Sequence, residues 1–195
     1  MPVDDAARWN LHYQADPRNT YELPRSLLLD HADLLPRHGL ALDIAMGLGE
    51  NASFLIQRGL KVVGVDISRV AVSKAKNKLP TLMAVIADME QFSIPPNTFD
   101  VIINFLYLQR DLWLPITRGL KKGGVLFIEC LTEDMLSIHP EINPTYLLKP
   151  TELQLNFINS EVSKDMEILF STEGWYSTST SHMRATASLI ARRIL

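Results

Sequence analysis

The stretch Leu40–Asn51 decides the fold and reads Leu-Ala-Leu-Asp-Ile-Ala-Met-Gly-Leu-Gly-Glu-Asn. Its first half, Leu40–Ala45, is a short apolar strand, and a turn containing Gly47 and Gly49 leads into a helix that begins near Asn51. Glycines at such a turn allow positive φ angles and let a ligand approach the backbone closely. The helix directs free N–H groups and the positive end of its dipole at the space above the strand. The stretch therefore predicts a nucleotide or adenosyl site.

The chain repeats this strand and helix unit at regular intervals. Apolar runs begin near Leu40, Lys61 and Thr81, and helical patterns lie between them at Asn51–Gln57 and Ser68–Lys78. Strands that alternate with helices of this length are typical of a parallel sheet covered on both faces.

The second half continues the sheet and then changes direction. Phe99–Asn104 and Val125–Glu129 are two further strands, and the first is apolar enough to be buried on both faces. Asp165–Thr172 and Arg184–Arg193 follow without a helix between them, which indicates an antiparallel hairpin. We predict a Rossmann-like, doubly wound α/β fold with a mostly parallel seven-stranded sheet and an antiparallel C-terminal hairpin.

We expect residues 1–195 to form a single domain in which residues 1–36 are a helical cover segment. The irregular stretch 131–150 is long for a loop in a compact domain, and such loops are more often functional than idle. We therefore expect the N-terminal segment and this loop to cover the site.

Composition excludes several classes of function. The net charge of -3 gives no electrostatic reason to expect a nucleic-acid partner. The single cysteine, Cys130, excludes an internal disulfide framework and fits a reducing compartment. No signal peptide and no membrane-spanning apolar run is evident, and the histidines lack metal-ligand spacing. We expect a cytoplasmic protein with a small-molecule partner and no metal, and the oligomeric state stays open.

Two cofactors compete for the glycine turn. Gly47–Ala52 satisfies the dinucleotide fingerprint G-x-G-x-x-A, and Asp66 at the end of the second strand could hold a ribose diol in either case. An NAD-dependent dehydrogenase is therefore one hypothesis. Against it, a carboxylate at Asp43 beneath the turn would repel a pyrophosphate but suits a cofactor that bears an ammonium and a sulfonium. Asp88 closes the third strand, where an adenine amine could donate to it. The chain also shows no second domain for a hydride acceptor. These features favour S-adenosylmethionine.

The motifs resemble those of the class I S-adenosylmethionine-dependent methyltransferases over nearly the whole chain. The glycine motif is matched by Asp43–Gly49, with Ala45 where a glycine is common. The strand-four motif is matched by Phe99–Asn104, and the Lys-Pro-Gly-Gly turn by Lys121–Gly124 with lysine replacing proline. Segments of a narrower group, the small bacterial tellurite-resistance-like methyltransferases, are similar to four stretches of this chain: Gly49–Asn51, Tyr107–Asp111, residues 143–153, and Trp9-Asn10 with Tyr13.

The resemblance implies a set of site residues. Those expected to bind the cofactor are Asp43, Ala45, Gly47, Gly49, Asn51, Asp66, Ile67, Asp88, Met89, Asn104 and Trp9. Those expected near the substrate are Tyr13, Tyr107 and Arg110. Each has a simpler alternative: Asn51 could only cap the helix, Asn104 could only cap its strand, and Arg110 could be an exposed residue at a helix start.

No catalytic base is identified in the sequence. Methyl transfer from a sulfonium has a good, neutral leaving group, so a base is needed only when the acceptor carries its proton into the transition state. We therefore expect methylation of a small molecule, with a soft anionic acceptor such as a metalloid oxyanion or a thiol. A dehydrogenase and a non-catalytic S-adenosylmethionine-binding module remain the alternatives.

Overall fold

The computed structural model describes residues 3–15, 23–158, 164–177 and 183–195. Its strands are β1 Leu40–Ile44, β2 Lys61–Asp66, β3 Met83–Ile86, β4 Phe99–Phe105, β5 Leu120–Leu131, β6 Met166–Ser177 and β7 Met183–Arg193. Its α-helices are α1 Val3–Ala15, α2 Ser26–Asp30, α3 Glu50–Gln57, α4 Arg69–Lys78, α5 Trp113–Gly119 and α6 Glu152–Ile158.

The strands form one seven-stranded sheet in the order β3-β2-β1-β4-β5-β7-β6. The first five strands are parallel, whereas β7 pairs antiparallel with both β5 and β6. The predicted fold class is therefore confirmed, including the C-terminal hairpin. The strand order reverses beside β1, and in open parallel sheets this reversal creates a crevice at the carboxyl ends of the strands.

Helices cover both faces of the sheet, as the apolar composition of the central strands requires. One face packs Ile102 and its neighbours against α5 and α6. The opposite face packs Val101 and Ile103 against α2, α3 and α4. The central strands β1 and β4 are thus buried on both faces, which leaves their carboxyl ends as the place where a ligand can approach them.

Several boundaries differ from the prediction. Residues 121–124 do not separate a helix from a strand, because β5 already begins at Leu120, which pairs with Phe99. The register then jumps so that Val125 pairs with Val101, and all of 121–124 lies opposite Asp100 as a bulge. Gly123 takes a φ of +81° there, which explains why a glycine occupies the bulge.

The segments expected to be irregular contain short helical pieces. Residues 131–150 hold two 3-10 helices, Glu133–Ser137 and Pro144–Tyr146, and Thr132 forms a bridge to Leu148. The N-terminal segment contains α1 and α2, while residues 1–2 and 16–22 lie outside the described part. No helix among the described residues is long and apolar enough to cross a membrane.

Candidate active site

A cavity opens at the carboxyl edge of the sheet, above β1, β2 and β4. Its empty space, counted together with the part open to solvent, is about 990 Å³. Its lining residues are Trp9, Tyr13, Leu23, Arg25, Ala45, Met46, Gly47, Leu48, Glu50, Asn51, Asp66, Ile67, Ala87, Met89, Phe105, Leu106 and Tyr107. The wall is mainly apolar with a few polar groups, which is the usual composition of a small-molecule site.

The glycine turn is held by its own hydrogen bonds. The Gly47 N–H donates to Asp66 Oδ2 at 2.8 Å, and the Gly49 N–H donates to the Met46 carbonyl at 3.0 Å. Both glycine amides therefore stabilise the turn, and the prediction that Gly47 and Gly49 bind the cofactor stays a prediction. Gly49 does not line the cavity, and a Cβ there would lie 3.2 Å from Ala75 in α4. This glycine permits close helix packing.

Asp66 connects β2 to the turn after β1. Its Oδ1 accepts from the Ser68 N–H at 2.8 Å while its Oδ2 holds Gly47, and the residue lines the cavity. Burial raises the pKa of Asp66, although the two N–H donors counteract that shift. Each carboxylate oxygen keeps a further lone pair, so Asp66 can still accept from a ribose hydroxyl.

Asp43 lies one layer beneath the turn and does not line the cavity. It is 1% exposed, accepts a hydrogen bond from the Ala52 backbone N–H, and its Oδ2 has no hydrogen-bond partner among the described residues. Burial and the nearby Asp66 carboxylate raise the pKa of Asp43 well above its ordinary value. A cation bound above the turn would favour its ionised form.

Two non-glycine residues at the cavity take left-handed backbone conformations. Ala45 has a φ of +52° and Leu106 a φ of +59°, and both line the cavity. A side chain costs about 1–2 kcal/mol in this region. At Ala45, where the resemblance leads us to expect a glycine, a glycine would therefore be less strained.

Helix α1 lies across the glycine turn. Asn10 Oδ1 accepts from Ser68 Oγ at 2.9 Å and from the Val70 N–H at 3.1 Å, and Lys74 donates to the Tyr13 carbonyl at 2.6 Å. These contacts place Trp9 and Tyr13 in the cavity wall, where their rings stack at 5.8 Å. Tyr13 is buried beside Gly47, whose Cβ, if present, would lie 2.8 Å from the Tyr13 hydroxyl. The structure therefore places Tyr13 over the turn.

On the side where adenine is expected, Met89 and Ile67 line the cavity and Asp88 does not. Asp88 is half-buried, and its Oδ1 accepts from the Glu90 N–H at 3.0 Å. Its side chain therefore organises the turn after β3.

The end of β4 contributes a tyrosine. Tyr107 lines the cavity and donates from its hydroxyl to Gln109 Oε1 at 2.6 Å. Burial, together with the charges of acidic neighbours, raises the pKa of Tyr107, and burial raises the pKa of Cys130 as well. Both groups therefore keep their protons at neutral pH.

Asn104 and Arg110 do not belong to the cavity wall. Asn104 lies inside β4 with 0% exposure, and both its amide atoms lack partners among the described residues, so it is no strand cap. Arg110 pairs with Glu152 and also donates to the Thr145 and Leu147 carbonyls. The guanidinium of Arg110 thus holds the 143–152 segment in place, and its assignment to the substrate stays a prediction.

The structure adds Arg25 and Glu129, which the sequence did not single out. Arg25 lines the cavity and donates from Nε to Glu129 Oε1 at 2.9 Å, with a second bond from Nη2. The Arg25 backbone N–H donates to Asn51 Oδ1 at 2.9 Å, so Asn51 does not cap the helix. The sequence signal that could have indicated this pair is Glu129, an acid at the end of an apolar strand.

Comparisons with known proteins agree with this geometry. Residues 41–124 match the family model described as a methyltransferase domain. The chain is 28% identical over 115 residues to trans-aconitate 2-methyltransferase from Rhodopseudomonas palustris (strain BisB5), which is 54% of this chain and 43% of that protein. The chain spans less than half the length of the curated relatives it matches.

Solved structures share the fold. A Methanosarcina mazei structure described as one of the SAM-dependent methyltransferases superposes with a TM-score of 0.68 at 17% identity, covering 85% of this chain and 97% of that one. TehB from Haemophilus influenzae superposes with a TM-score of 0.71 at 17% identity, covering 95% of this chain and 67% of TehB. The chain therefore has the fold of these methyltransferase structures, and its residues 41–124 match a methyltransferase domain model.

Proposed function

We propose that this chain is a methyltransferase that transfers a methyl group from S-adenosylmethionine to a small molecule. The observation that carries the proposal is the fully buried carboxyl of Asp43, with an unpartnered oxygen among the described residues, beneath a glycine turn at the cavity. A buried acid is costly unless a compensating charge comes close to it. A pyrophosphate would worsen that cost, whereas an ammonium or sulfonium would relieve it.

The lining residues fit the cofactor. Asp66 would accept from the ribose hydroxyls, Met89 and Ile67 would form the apolar wall beside adenine, and Trp9 would cover the sulfonium through a cation–π contact. Asp88, next to Met89, stays our candidate for the adenine amine, although its side chain is outside the wall. When bound, the cofactor supplies an electrophilic methyl group with a neutral leaving group. The protein then has to align the acceptor and exclude water, which can lower the activation barrier by roughly 7–11 kcal/mol.

Helix α1 is the proposed cover. Its three polar contacts to Ser68, Val70 and Lys74 hold it across the turn. The apolar cluster that it joins is small and separate from the two main core clusters. Elements that pack on a small apolar cluster open at a lower free-energy cost than the core. We expect the cofactor to enter and leave by displacement of this helix.

The acceptor is proposed to be soft and anionic, such as a thiolate or a metalloid oxyanion. Support comes from the described lining residues, none of which is a histidine. The raised pKa of Tyr107 also makes that hydroxyl a poor base at neutral pH. An acceptor that arrives with a free lone pair needs no base.

Ligand binding separates this proposal from a dehydrogenase. Thermal unfolding of the full chain is measured with S-adenosylhomocysteine and with NADH at equal concentrations. S-adenosylhomocysteine is expected to raise the Tm, since a ligand at 100 times its Kd stabilises the native state by about 2.7 kcal/mol. Stabilisation by NADH alone would contradict the proposal.

Turnover separates an enzyme from a cofactor-binding module. The chain is incubated with S-adenosylmethionine and a panel of thiols, metalloid oxyanions and carboxylates, and products are identified by mass spectrometry. An added methyl group on one class of compound, together with S-adenosylhomocysteine, is the expected result. The Asp66→Ala variant is the negative control. Binding without any product across the panel would favour the module.

A further inference from the structure

Strand β6 ends the sheet and leaves one of its edges open. It is 12 residues long and pairs with β7 on one side. Within residues 3–15, 23–158, 164–177 and 183–195, no strand pairs with its other side. The sheet therefore does not use the backbone N–H and C=O groups along that side. Such a row of groups is a template for pairing with a further β-strand.

The opposite end of the sheet is protected in ways that β6 is not. Strand β3 spans four residues, and Lys76 of α4 donates to the Pro80 and Leu82 carbonyls just before it. Short edge strands and nearby lysines are devices that keep an edge from pairing with another chain. Strand β6 is three times as long and contains no lysine, arginine or proline.

The regular part of β6 carries a single charge. A register shift lies between Ile168 and Phe170, and from Phe170 to Ser177 the strand pairs residue by residue with β7. The one charged side chain in this stretch is Glu173, whose Oε2 accepts from the Thr151 backbone N–H at 3.0 Å. Like charges that face each other across two strands oppose pairing. Because this carboxylate is engaged at the start of α6, it is a weak barrier to a second copy of the strand.

Large apolar side chains lie exposed on β6 and on the helix beside it. Trp175 and Tyr176 are each 40% exposed, and the Tyr176 hydroxyl is hydrogen-bonded to the Thr172 hydroxyl. Because successive strand residues point to opposite faces, each face of the edge has one of these rings. Leu155 and Ile158 are 53% and 51% exposed on α6, which contacts β6.

The area of this surface is sufficient for a specific contact. The exposed part of each ring amounts to about 60–100 Å². Burial of the four apolar side chains and of the strand edge from Phe170 to Ser177 removes on the order of 600 Å² per copy. Two copies then bury about 1,200 Å², which is the size at which stable, specific interfaces begin.

We propose that two copies of this chain associate through β6, with the two strands antiparallel about a two-fold axis and the sheet continuous from one copy into the other. An antiparallel edge is complementary to itself, because a two-fold rotation brings the N–H groups of one strand opposite the C=O groups of the other. A nearly uncharged edge also favours a partner edge without charges, which a second copy supplies. The inference is independent of the proposed methyl transfer.

Sedimentation equilibrium of the full chain, over a wide range of protein concentration, tests the association. The unmodified chain is expected to form a reversible dimer. Ser171→Lys puts a lysine at an exposed position of β6, close to its counterpart in the second copy, and is expected to raise the dimer Kd at least tenfold. Met83→Lys is the matched control, since Met83 is 42% exposed on β3, and its dimer Kd should equal that of the unmodified chain.

Three outcomes of this experiment would refute the inference. The first is an unmodified chain that sediments as a monomer at every concentration. The second is a dimer that Ser171→Lys leaves intact, and the third is a dimer that Met83→Lys dissociates. Circular dichroism and the Tm verify that both variants are folded. Trp175→Ala is a further test that adds no charge, and it is expected to raise the dimer Kd about tenfold or more, because a buried tryptophan contributes strongly to an interface.

Cross-linking locates the contact without relying on dissociation. The single cysteine of the chain, Cys130, is 1% exposed, so a cysteine introduced at the surface is the accessible thiol. A short bismaleimide is expected to join two copies of Ser171→Cys covalently and to leave Met83→Cys as single chains. Cross-linking of Met83→Cys alone would assign the interface to β3 and overturn the inference.

Discussion

The carboxylate of Asp66 accepts a hydrogen bond from the Gly47 backbone N–H at 2.8 Å, so the acid that ends β2 fixes the turn that follows β1. One residue thus serves two functions. It shapes the glycine turn, and it offers its remaining lone pairs to the cavity. A ligand hydroxyl that binds there would find the acceptor already held by the protein, which lowers the entropic cost of binding.

Replacing Asp66 tests this double role. Asp66→Ala removes the acceptor for Gly47 and Ser68, and the Kd of S-adenosylhomocysteine is expected to rise more than tenfold, which is about 1.4 kcal/mol. Asp100→Ala is the control, because Asp100 also accepts a backbone N–H, from Leu40 at 2.8 Å, but does not line the cavity. Equal affinities of Asp66→Ala and the unmodified chain, measured by calorimetry, would refute the ribose assignment.

Asp43 should make the stability depend on pH. Folding raises its pKa above the ordinary 3.8, so between the two pKa values the native state retains a proton that the unfolded chain releases. The free energy of unfolding therefore falls as the pH rises through that interval, at a slope of about 1.4 kcal/mol per pH unit. We expect Asp43→Asn to gain stability relative to the unmodified chain as the pH rises above the ordinary pKa of 3.8.

Urea unfolding at several pH values measures the Asp43 effect. The amide introduced by Asp43→Asn would also lack a partner among the described residues, which changes the stability of the variant at every pH. The informative quantity is therefore how the difference in unfolding free energy between the variant and the unmodified chain changes with pH. The same variant should bind S-adenosylhomocysteine more weakly, because the compensating charge is gone. A stability difference that is constant over this pH interval would contradict the assignment.

Gly64 keeps the cavity wall in place. A Cβ at this position would overlap the sulfur of Met46, a lining residue. Gly64→Ala is expected to destabilise the fold by about 1–3 kcal/mol and to push Met46 toward the ligand, which lowers cofactor affinity. Gly119→Ala is a matched overpacking control, since its Cβ would meet Ile94, outside the cavity wall. Loss of affinity in both variants would mean that general destabilisation is the cause.

Ala45 tests backbone strain at the glycine turn. Ala45→Gly relieves the penalty of a φ of +52° but adds flexibility to the unfolded chain, so we expect a net gain between zero and about 1 kcal/mol. Ala45→Val should lower the free energy of unfolding by on the order of 2 kcal/mol, because a β-branched side chain is the least compatible with the left-handed backbone region. Urea unfolding measures both variants. A more stable valine variant would show that the left-handed conformation is not adopted.

Much of the site could be predicted because it follows from local patterns. The apolar runs fix the strands, and acids at strand ends, such as Asp66, must reach the carboxyl edge of a parallel sheet. The fold class was predicted correctly for that reason, and Ile67, Met89 and Tyr107 line the cavity as expected. What the local pattern could not predict is that the Gly47 and Gly49 amides donate within the protein, because a turn must first satisfy its own N–H groups.

The sequence alone determined the architecture and the presence of an acid beneath the glycine turn, since both depend on periodicity and on residues within a few positions of each other. Only the tertiary structure decided which charged groups reach the cavity. Arg25 and Glu129 are 104 residues apart, and Arg110 is captured by Glu152, 42 residues away. No local pattern encodes such pairs, because they form only when the sheet brings distant strand ends together. The physical reason is that a charged group pairs with whichever opposite charge the fold brings within reach.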